Sequence, residues 1–224
     1  MKLPLGLIIS LAICLNSGFL QAQTDVDTIM VRTSGLAVLL DIGKANSFIA
    51  DYENKFEAGL HYMMKNGLAV VVEGGSGTLT PNNAFENANY ESSGFYGRIG
   101  LDYHMHIDAT SKFIFGLRYG QSSFDDNFNF IVGSEFWQGF EDSDMRTELD
   151  ASWFEIGIST ETQILRESTT QFYLGWHLRW RYLIEYTEFE PVDVYSIPGY
   201  GRTVDNSVPA VNLYLKYVIP FSSQ

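Results

Sequence analysis

From Phe95 to His106 the chain alternates with a period of two. Phe95, Ile99, Leu101, Tyr103 and Met105 share one parity, and Tyr96, Arg98, Gly100, Asp102, His104 and His106 share the other. The stretch from Phe172 to Ile184 is equally regular: Phe172, Leu174, Trp176, Leu178, Trp180, Tyr182 and Ile184 alternate with Tyr173, Gly175, His177, Arg179 and Arg181. A helix would mix the two sets on every face, whereas a strand separates them fully. Eight segments of this kind are predicted, at 34–43, 55–65, 68–78, 94–106, 111–122, 151–164, 170–185 and 208–221. Each reaches the roughly 9–11 residues a tilted strand needs to cross a bilayer. The connections alternate in length. Short ones lie at Asn66-Gly67, at Asp108-Ala109-Thr110 and from Arg166 to Thr169; long ones cover 44–54, 79–93, 123–150 and 186–207. An even strand count with short turns at one end and long loops at the other describes a single eight-stranded antiparallel up-and-down transmembrane β-barrel, all-β, with short periplasmic turns and long extracellular loops.

Parity groups residues without saying which group faces outward. A soluble lipocalin-like ligand-binding barrel also has eight strands, with an apolar cavity and a polar exterior. Side-chain volume favours the opposite arrangement. The polar set includes Gly59, Gly100, Gly116, Gly157 and Gly175, whereas the apolar set carries large rings. The lumen of an eight-stranded barrel is only wide enough for side chains to fill it. Small residues and paired charges fit that interior. The rings Tyr62, Tyr103, Phe113, Tyr119, Phe154, Phe172, Trp176, Trp180, Tyr217 and Phe221 are expected to face lipid. Tyr62, Tyr103, Tyr119, Trp153, Trp180 and Tyr217 lie near strand ends, as interfacial girdles require.

The beginning of the chain reads as a signal peptide. Lys2 is a short positive region, Leu3 to Leu15 is uncharged and apolar, and Leu20-Gln21-Ala22 suits cleavage after Ala22. This divides the chain into a signal peptide at 1–22, a short periplasmic segment at 23–33 and the barrel at 34–221. A lipid anchor on Cys14 is the rival reading, but the preceding residue is Ile13, where a small residue is wanted. Cys14 is the only cysteine, so the mature chain is left without disulfides, thiolate nucleophiles or cysteine metal ligands. Fourteen basic residues stand against 27 acidic ones, a net charge of −13, which argues against nucleic acid as a partner.

The segments Gly116-Leu117-Arg118-Tyr119-Gly120, Trp153-Phe154-Glu155, Ile197-Pro198-Gly199-Tyr200 and Tyr217-Val218-Ile219-Pro220 occur in an order that resembles a family of small outer-membrane β-barrel proteins of unknown function from Bacteroidetes. The resemblance covers about residues 34–221. It implies an outer-membrane barrel and brings no catalytic residues. In one respect the chain departs from outer-membrane barrels, which usually end on an aromatic residue: here Ser222-Ser223-Gln224 follow Phe221.

The predicted lumen gathers Arg98, Arg118, Arg179, Arg181 and Lys216 against Asp41, Glu57, Asp102, Glu155 and Glu161. Isolated charges in a narrow interior are costly, so these are expected to pair into a plug rather than line an ion path. All four histidines, His61, His104, His106 and His177, have lumen parity and are expected to hydrogen-bond within the plug. A metal site or a general base would need further groups that the spacing does not supply, and no metal or other cofactor is expected. The enzymatic alternative is a lipid-modifying barrel using Ser152 or Ser159 with Glu155 and a histidine, to which lumen parity is assigned.

The third long loop carries seven acids (Asp125, Asp126, Glu135, Glu141, Asp142, Asp144, Glu148) and one base, Arg146, together with many rings. The expectation is that the strands extend beyond the membrane here and that the rings fold over the barrel mouth. Phe130, Phe136, Trp137 and Phe140 are the candidates for an interaction surface. Glu141-Asp142-Ser143-Asp144 offers calcium-type oxygens but lacks the glycine and distant glutamate of a 12-residue calcium loop. The function read from the sequence is therefore a non-enzymatic outer-membrane barrel, structural or surface-interacting. Its partners would be outer-membrane lipid and an extracellular protein or glycan.

Overall fold

In the computed structural model, the described residues are 34–43, 53–81, 88–132, 140–164, 171–190 and 192–221. The predicted signal peptide, the segment 23–33 and the last three residues lie outside them. Among the described residues there are ten strands: β1 (Gly35–Asp41), β2 (Glu53–Met63), β3 (Leu68–Leu79), β4 (Ala88–His106), β5 (Ser111–Val132), β6 (Phe140–Gln163), β7 (Gln171–Tyr186), β8 (Ser196–Ile197), β9 (Gly201–Arg202) and β10 (Ser207–Pro220). Eight of them close an antiparallel barrel in the order β1-β10-β7-β6-β5-β4-β3-β2, and β8 and β9 form a separate two-stranded ribbon. Closure comes from β1, which pairs with β2 on one side and β10 on the other (Val38 opposite Leu60 and Tyr217). Along the length of β1 both of its edges are paired, which removes the hazard of unpaired backbone groups in lipid there.

Two short turns show how local chemistry sets the register. At the β2–β3 turn Gly67 has φ +88°, and Asn66 Oδ1 accepts the Leu68 N–H at 3.0 Å. At the β4–β5 turn Asp108 Oδ1 accepts the N–H groups of Thr110 (2.7 Å) and Ser111 (2.8 Å). Short polar side chains thereby satisfy backbone donors that the turn would otherwise leave open.

The two faces of the wall separate by parity. Leu60, Val72, Ile99, Leu101, Leu117, Ile156, Leu178 and Leu213 are exposed on the outside, whereas Glu57, Arg98, Arg118, Glu155 and Lys216 are buried inside. Tyr62, Tyr103, Tyr119, Phe154, Trp180, Tyr217 and Phe221 are exposed on the outer wall, and Phe113, Phe172 and Trp176 are half-buried there. A water-soluble protein would not leave so continuous an apolar exterior uncovered. The fold is a transmembrane barrel, and its belt contacts membrane lipid.

Two parity assignments are corrected. Trp153, expected in the outer girdle, is completely buried in the lumen, where its indole donates to Glu155 Oε1 at 2.7 Å. Ser152, assigned to the lumen, is half-exposed on the outer face beside Phe154. A register shift between Ser152 and Trp153 in the pairing of β6 with β7 marks this spot. The strand ends also move. β4, β5 and β6 run well past the predicted limits, so most of the expected 123–150 loop is a hairpin.

Candidate functional site

The barrel interior is filled in three layers. At the short-turn end Ala37, Met63, Ala69, Tyr173 and Val218 form an apolar floor. At the opposite end Tyr96, Phe124, Leu149, Ala151, Trp153, Val194, Ile197 and Tyr200 form an apolar and aromatic roof. The charges lie between them.

The upper part of the charged layer is a lattice of guanidinium and carboxylate groups. Arg98 reaches three acids: Glu57 at 2.5 Å, Glu73 at 3.1 Å and Glu155 at 3.4 Å. Arg179 bonds Glu57 and Glu73, both at 3.1 Å. Arg118 bridges Glu73 and Asp102, again at 3.1 Å each. Arg181 lies 3.4 Å from Glu155, and Tyr96 donates its hydroxyl to Glu57 at 2.8 Å. Guanidinium suits this work because its five donors sit in a fixed fork that can serve several carboxylates at once.

The lower part centres on Glu161. Its carboxylate pairs with Lys216, accepts the Tyr214 hydroxyl at 3.2 Å and lies 3.7 Å from Lys112. Asp41 accepts from Asn212. Among the histidines, His61 sits 3.9 Å from both Glu73 and Asp102, and His104 is 4.0 Å from Glu161. His177 bonds Ser159 and stacks on Tyr214 at 4.2 Å, while His106 is half-buried at the end of β4. No group of three or more His, Cys, Asp or Glu side chains among the described residues could hold a metal ion.

Glu73 is the central residue that sequence reasoning missed. It accepts from Arg98, Arg118 and Arg179, joining strands β3, β4, β5 and β7. It closes the apolar run Leu68 to Val72, in which both faces look alike. The signal that locates it is the continuation of its parity into Gly75 and Gly77. Lys112 was missed as well. With these two, the named interior set is again balanced.

The roof draws on the fourth long connection through Val194, Ile197 and Tyr200, and on the 123–150 region, expected to fold over the mouth, through Phe124 and Leu149. Residues 187–190 and 192–206 cross the barrel mouth as a strap carrying β8 and β9. Arg181 donates to the Tyr200 carbonyl at 2.7 Å, and the Tyr200 ring lies 5.9 Å from that of Trp153. Arg146, on β6 above the wall, donates to the Val192 carbonyl at 2.7 Å and grips Asp126 through two nitrogens. Tyr90 donates to Asp126 at 2.9 Å; burial and that carboxylate push its hydroxyl well above the ordinary value, so it remains a donor. Tyr186 is pushed up to about 12, first by its hydrogen bond to Asp193 at the start of the strap.

Beyond the rim, β4, β5 and β6 rise as a three-stranded blade. Its pairing continues to Ala88 opposite Phe130 and to Phe140 opposite Val132. β7 stops at Tyr186 opposite Ala151, so among the described residues no strand pairs with the β7-side edge of β6 above that point. Asp142, Ser143, Asp144 and Met145 are exposed along it. Phe128 and Phe130 are half-buried and pack ring on ring at 5.8 Å. Phe136 and Trp137 lie outside the described residues, as does the side chain of Phe140. The Glu141 to Asp144 segment is strand here, not a loop folded around a cation.

The serine constellation of the enzymatic alternative is not assembled. Ser159 and His177 bond each other deep in the lumen, Glu155 is taken up by Arg98, Arg181 and Trp153, and Ser152 is on the other face of the wall.

A family model described as "Domain of unknown function (DUF6048)" matches residues 4–224. No curated protein matches the chain. Among solved structures, the N-terminal β-barrel domain of Pseudomonas aeruginosa OprF is similar at 9% identity and a TM-score of 0.38, over 84% of this chain and 98% of that one.

Proposed function

We propose, for this chain that belongs to the DUF6048 family of unknown function, that it is a non-enzymatic outer-membrane barrel that conducts nothing and presents its blade outside the cell as an interaction surface. The observation that carries this reading is the filled interior. The carboxylates and guanidinium groups are paired with one another, and apolar layers lie above and below them. A solute would have to break several of these pairs to pass, and an acyl chain has no route to Ser159 or His177. What is left free to act is the part outside the wall: the acidic blade with an open strand edge, well suited to pairing with an extended segment of a partner.

The finer parts of the reading rest on sequence alone. They are removal of the signal after Ala22, a short periplasmic segment before the barrel, contact with an extracellular protein or glycan through Phe130, Phe136, Trp137 and Phe140, and a Bacteroidetes origin for the family.

The test is electrical. Purified protein inserted into a planar bilayer is expected to give a flat current trace at moderate voltage. Discrete, reproducible conductance steps would contradict the sealed interior and require the charged layer to be read as an ion path.

A further inference from the structure

The outer wall carries a groove of about 590 Å³ just above the apolar belt, lined by Asn54, Phe56, Ser76, Thr78, Ser93 and Phe95, and by Ser123, Asp125 and Glu148 further round. Two rows of outward residues build it. One pairs Phe56 with Ser76 and Ser76 with Phe95 and ends at Ser123; the next pairs Asn54 with Thr78 and Thr78 with Ser93 and ends at Asp125. Phe56 and Phe95 are thus separated by the single strand carrying Ser76, and both rings are exposed. They stand as two rails about 10 Å apart, from a strand spacing of roughly 4.8 Å.

The far end of the groove is shaped by irregular backbone. β6 bulges here: Thr147 and Glu148 stand opposite the single Asp125 of β5, and Glu148 has φ +59°. Asp125 accepts the N–H of the bulged Glu148 at 2.9 Å, and both residues line the groove. The left-handed backbone at Glu148 belongs to that bulge, which bends β6 at the far end of the groove.

Directly below the rails, Gly74 pairs with Gly97 on the outer face. Most wall glycines, such as Gly75, Gly100 and Gly175, sit where a Cβ would collide with a neighbour. Gly74 and Gly97 do not: a Cβ there meets nothing nearer than 3.7 Å and 3.9 Å. Mid-strand glycine occurs at bulges, at tight bends of a barrel wall and where another molecule approaches the backbone closely; at Gly74 and Gly97 the pairing runs without a register shift, and the backbone is open to an approaching molecule. Below the glycines the wall is apolar again, with Val72 and Ile99. From top to bottom the path therefore runs from hydroxyls and carboxylates, past bare backbone, to hydrocarbon.

That order is the polarity profile of an amphiphile. We infer that the groove binds an outer-leaflet glycolipid, with its sugar headgroup between Phe56 and Phe95 and its chains running down over Gly74 and Gly97. Ser76, Thr78, Ser93 and Ser123 exchange hydrogen bonds with sugar hydroxyls, Asp125 and Glu148 accept them, and the phenyl rails cover the sugar's C–H faces. Among the described residues no Lys or Arg lines the groove, and the two carboxylates there disfavour an anionic headgroup. The continuous path into the belt selects a lipid-linked sugar over a free one.

The inference rests on the outward orientation of the apolar face, which the mobility of unboiled protein reports separately. Full-length protein is incubated in detergent with a neutral glucosyl diacylglycerol, with phosphatidylethanolamine or with free glucose, and retained ligand is counted by native mass spectrometry. The glycolipid is expected to be retained over the other two. Gly97→Leu fills the path without reaching the core and is expected to reduce retention about tenfold, a loss of roughly 1.4 kcal/mol, with the unboiled gel mobility unchanged. Should Gly97→Leu disturb folding, Ser76→Leu places the obstruction between the rails instead. Equal retention by wild type and a folded blocked variant overturns the proposal. So does equal retention of phosphatidylethanolamine, which would mean non-selective lipid contact, or of free glucose, which would mean that the lipid part is not recognised.

Discussion

Replacing Arg98 by alanine is expected to destabilise the barrel by about 3–5 kcal/mol, the usual consequence of removing one partner from a buried ion pair. The substitution leaves Glu57, Glu73 and Glu155 facing one another without the cation that approaches all three within 3.4 Å. Arg179 remains within reach of the same acids but is already committed to Glu57 and Glu73. Carboxylates that lose their counter-charge in a closed interior cannot recover it from water, so the penalty falls on the folded state alone. Arg98→Lys is expected to give an intermediate loss, because an ammonium keeps the charge but cannot span three carboxylates as a fork does. Urea titration in lipid vesicles, following the fraction of protein that keeps its unboiled gel mobility, measures both. A midpoint unchanged in Arg98→Ala would show that the lattice does not hold the barrel together.

Substituting Gly199 by alanine is expected to lift the strap from the barrel mouth while leaving the wall intact. Gly199 has φ +83°, and a Cβ on it would lie 2.4 Å from the Tyr96 ring. The left-handed backbone alone costs a non-glycine residue about 1–3 kcal/mol, and the clash adds to it. Tyr96 cannot simply move aside, because its hydroxyl is bonded to Glu57 and it is packed in the roof. The strap is held mainly by Arg181 on the Tyr200 carbonyl, by Arg146 on the Val192 carbonyl and by the burial of Ile197 and Tyr200. Displacing Gly199 disturbs the first and third of these. Limited proteolysis of protein in vesicles is the measurement: rapid cutting within 187–206 is expected in Gly199→Ala and slow cutting in wild type, with the same unboiled mobility for both. Equal cutting rates would mean that the strap is not seated as described.

The barrel was legible in the sequence because a wall with two different environments forces strict alternation. Phe95 to His106 and Phe172 to Ile184 could be sorted inside from outside by parity alone. Where parity and residue habit disagreed, parity was the better guide. Trp153 shares its parity with Glu155, Gly157 and Ser159 and is inside with them, although a tryptophan near a strand end invites a place in the girdle. Ser152 belongs with Phe154 for the same reason. Glu73 was hidden because β3 is apolar on both faces up to Val72: the inward Ala69 and Val71 are buried and apolar, so nothing contrasts with the lipid side. Charge concealed the blade. Phe124, Asp126 and Phe128 still alternate with Ser123, Asp125 and Asn127, but a run so rich in acids reads as a loop when its pairing strand is out of view. The strap was the least legible part. Its place depends on contacts such as Gly199 with Tyr96 and Tyr200 with Trp153, which join distant parts of the chain and leave no periodic trace.

The central claim is that this chain closes into a barrel with hydrocarbon outside and paired charge within. Gel electrophoresis of protein extracted in detergent from a separated outer-membrane fraction, boiled and unboiled, tests it most directly. The account predicts protein in that fraction and an unboiled band that migrates apart from the boiled one, because a closed, hydrogen-bonded wall resists the detergent until heated. Protein that stays in water without detergent and runs as one band in both samples would contradict it, and would place the apolar face inside.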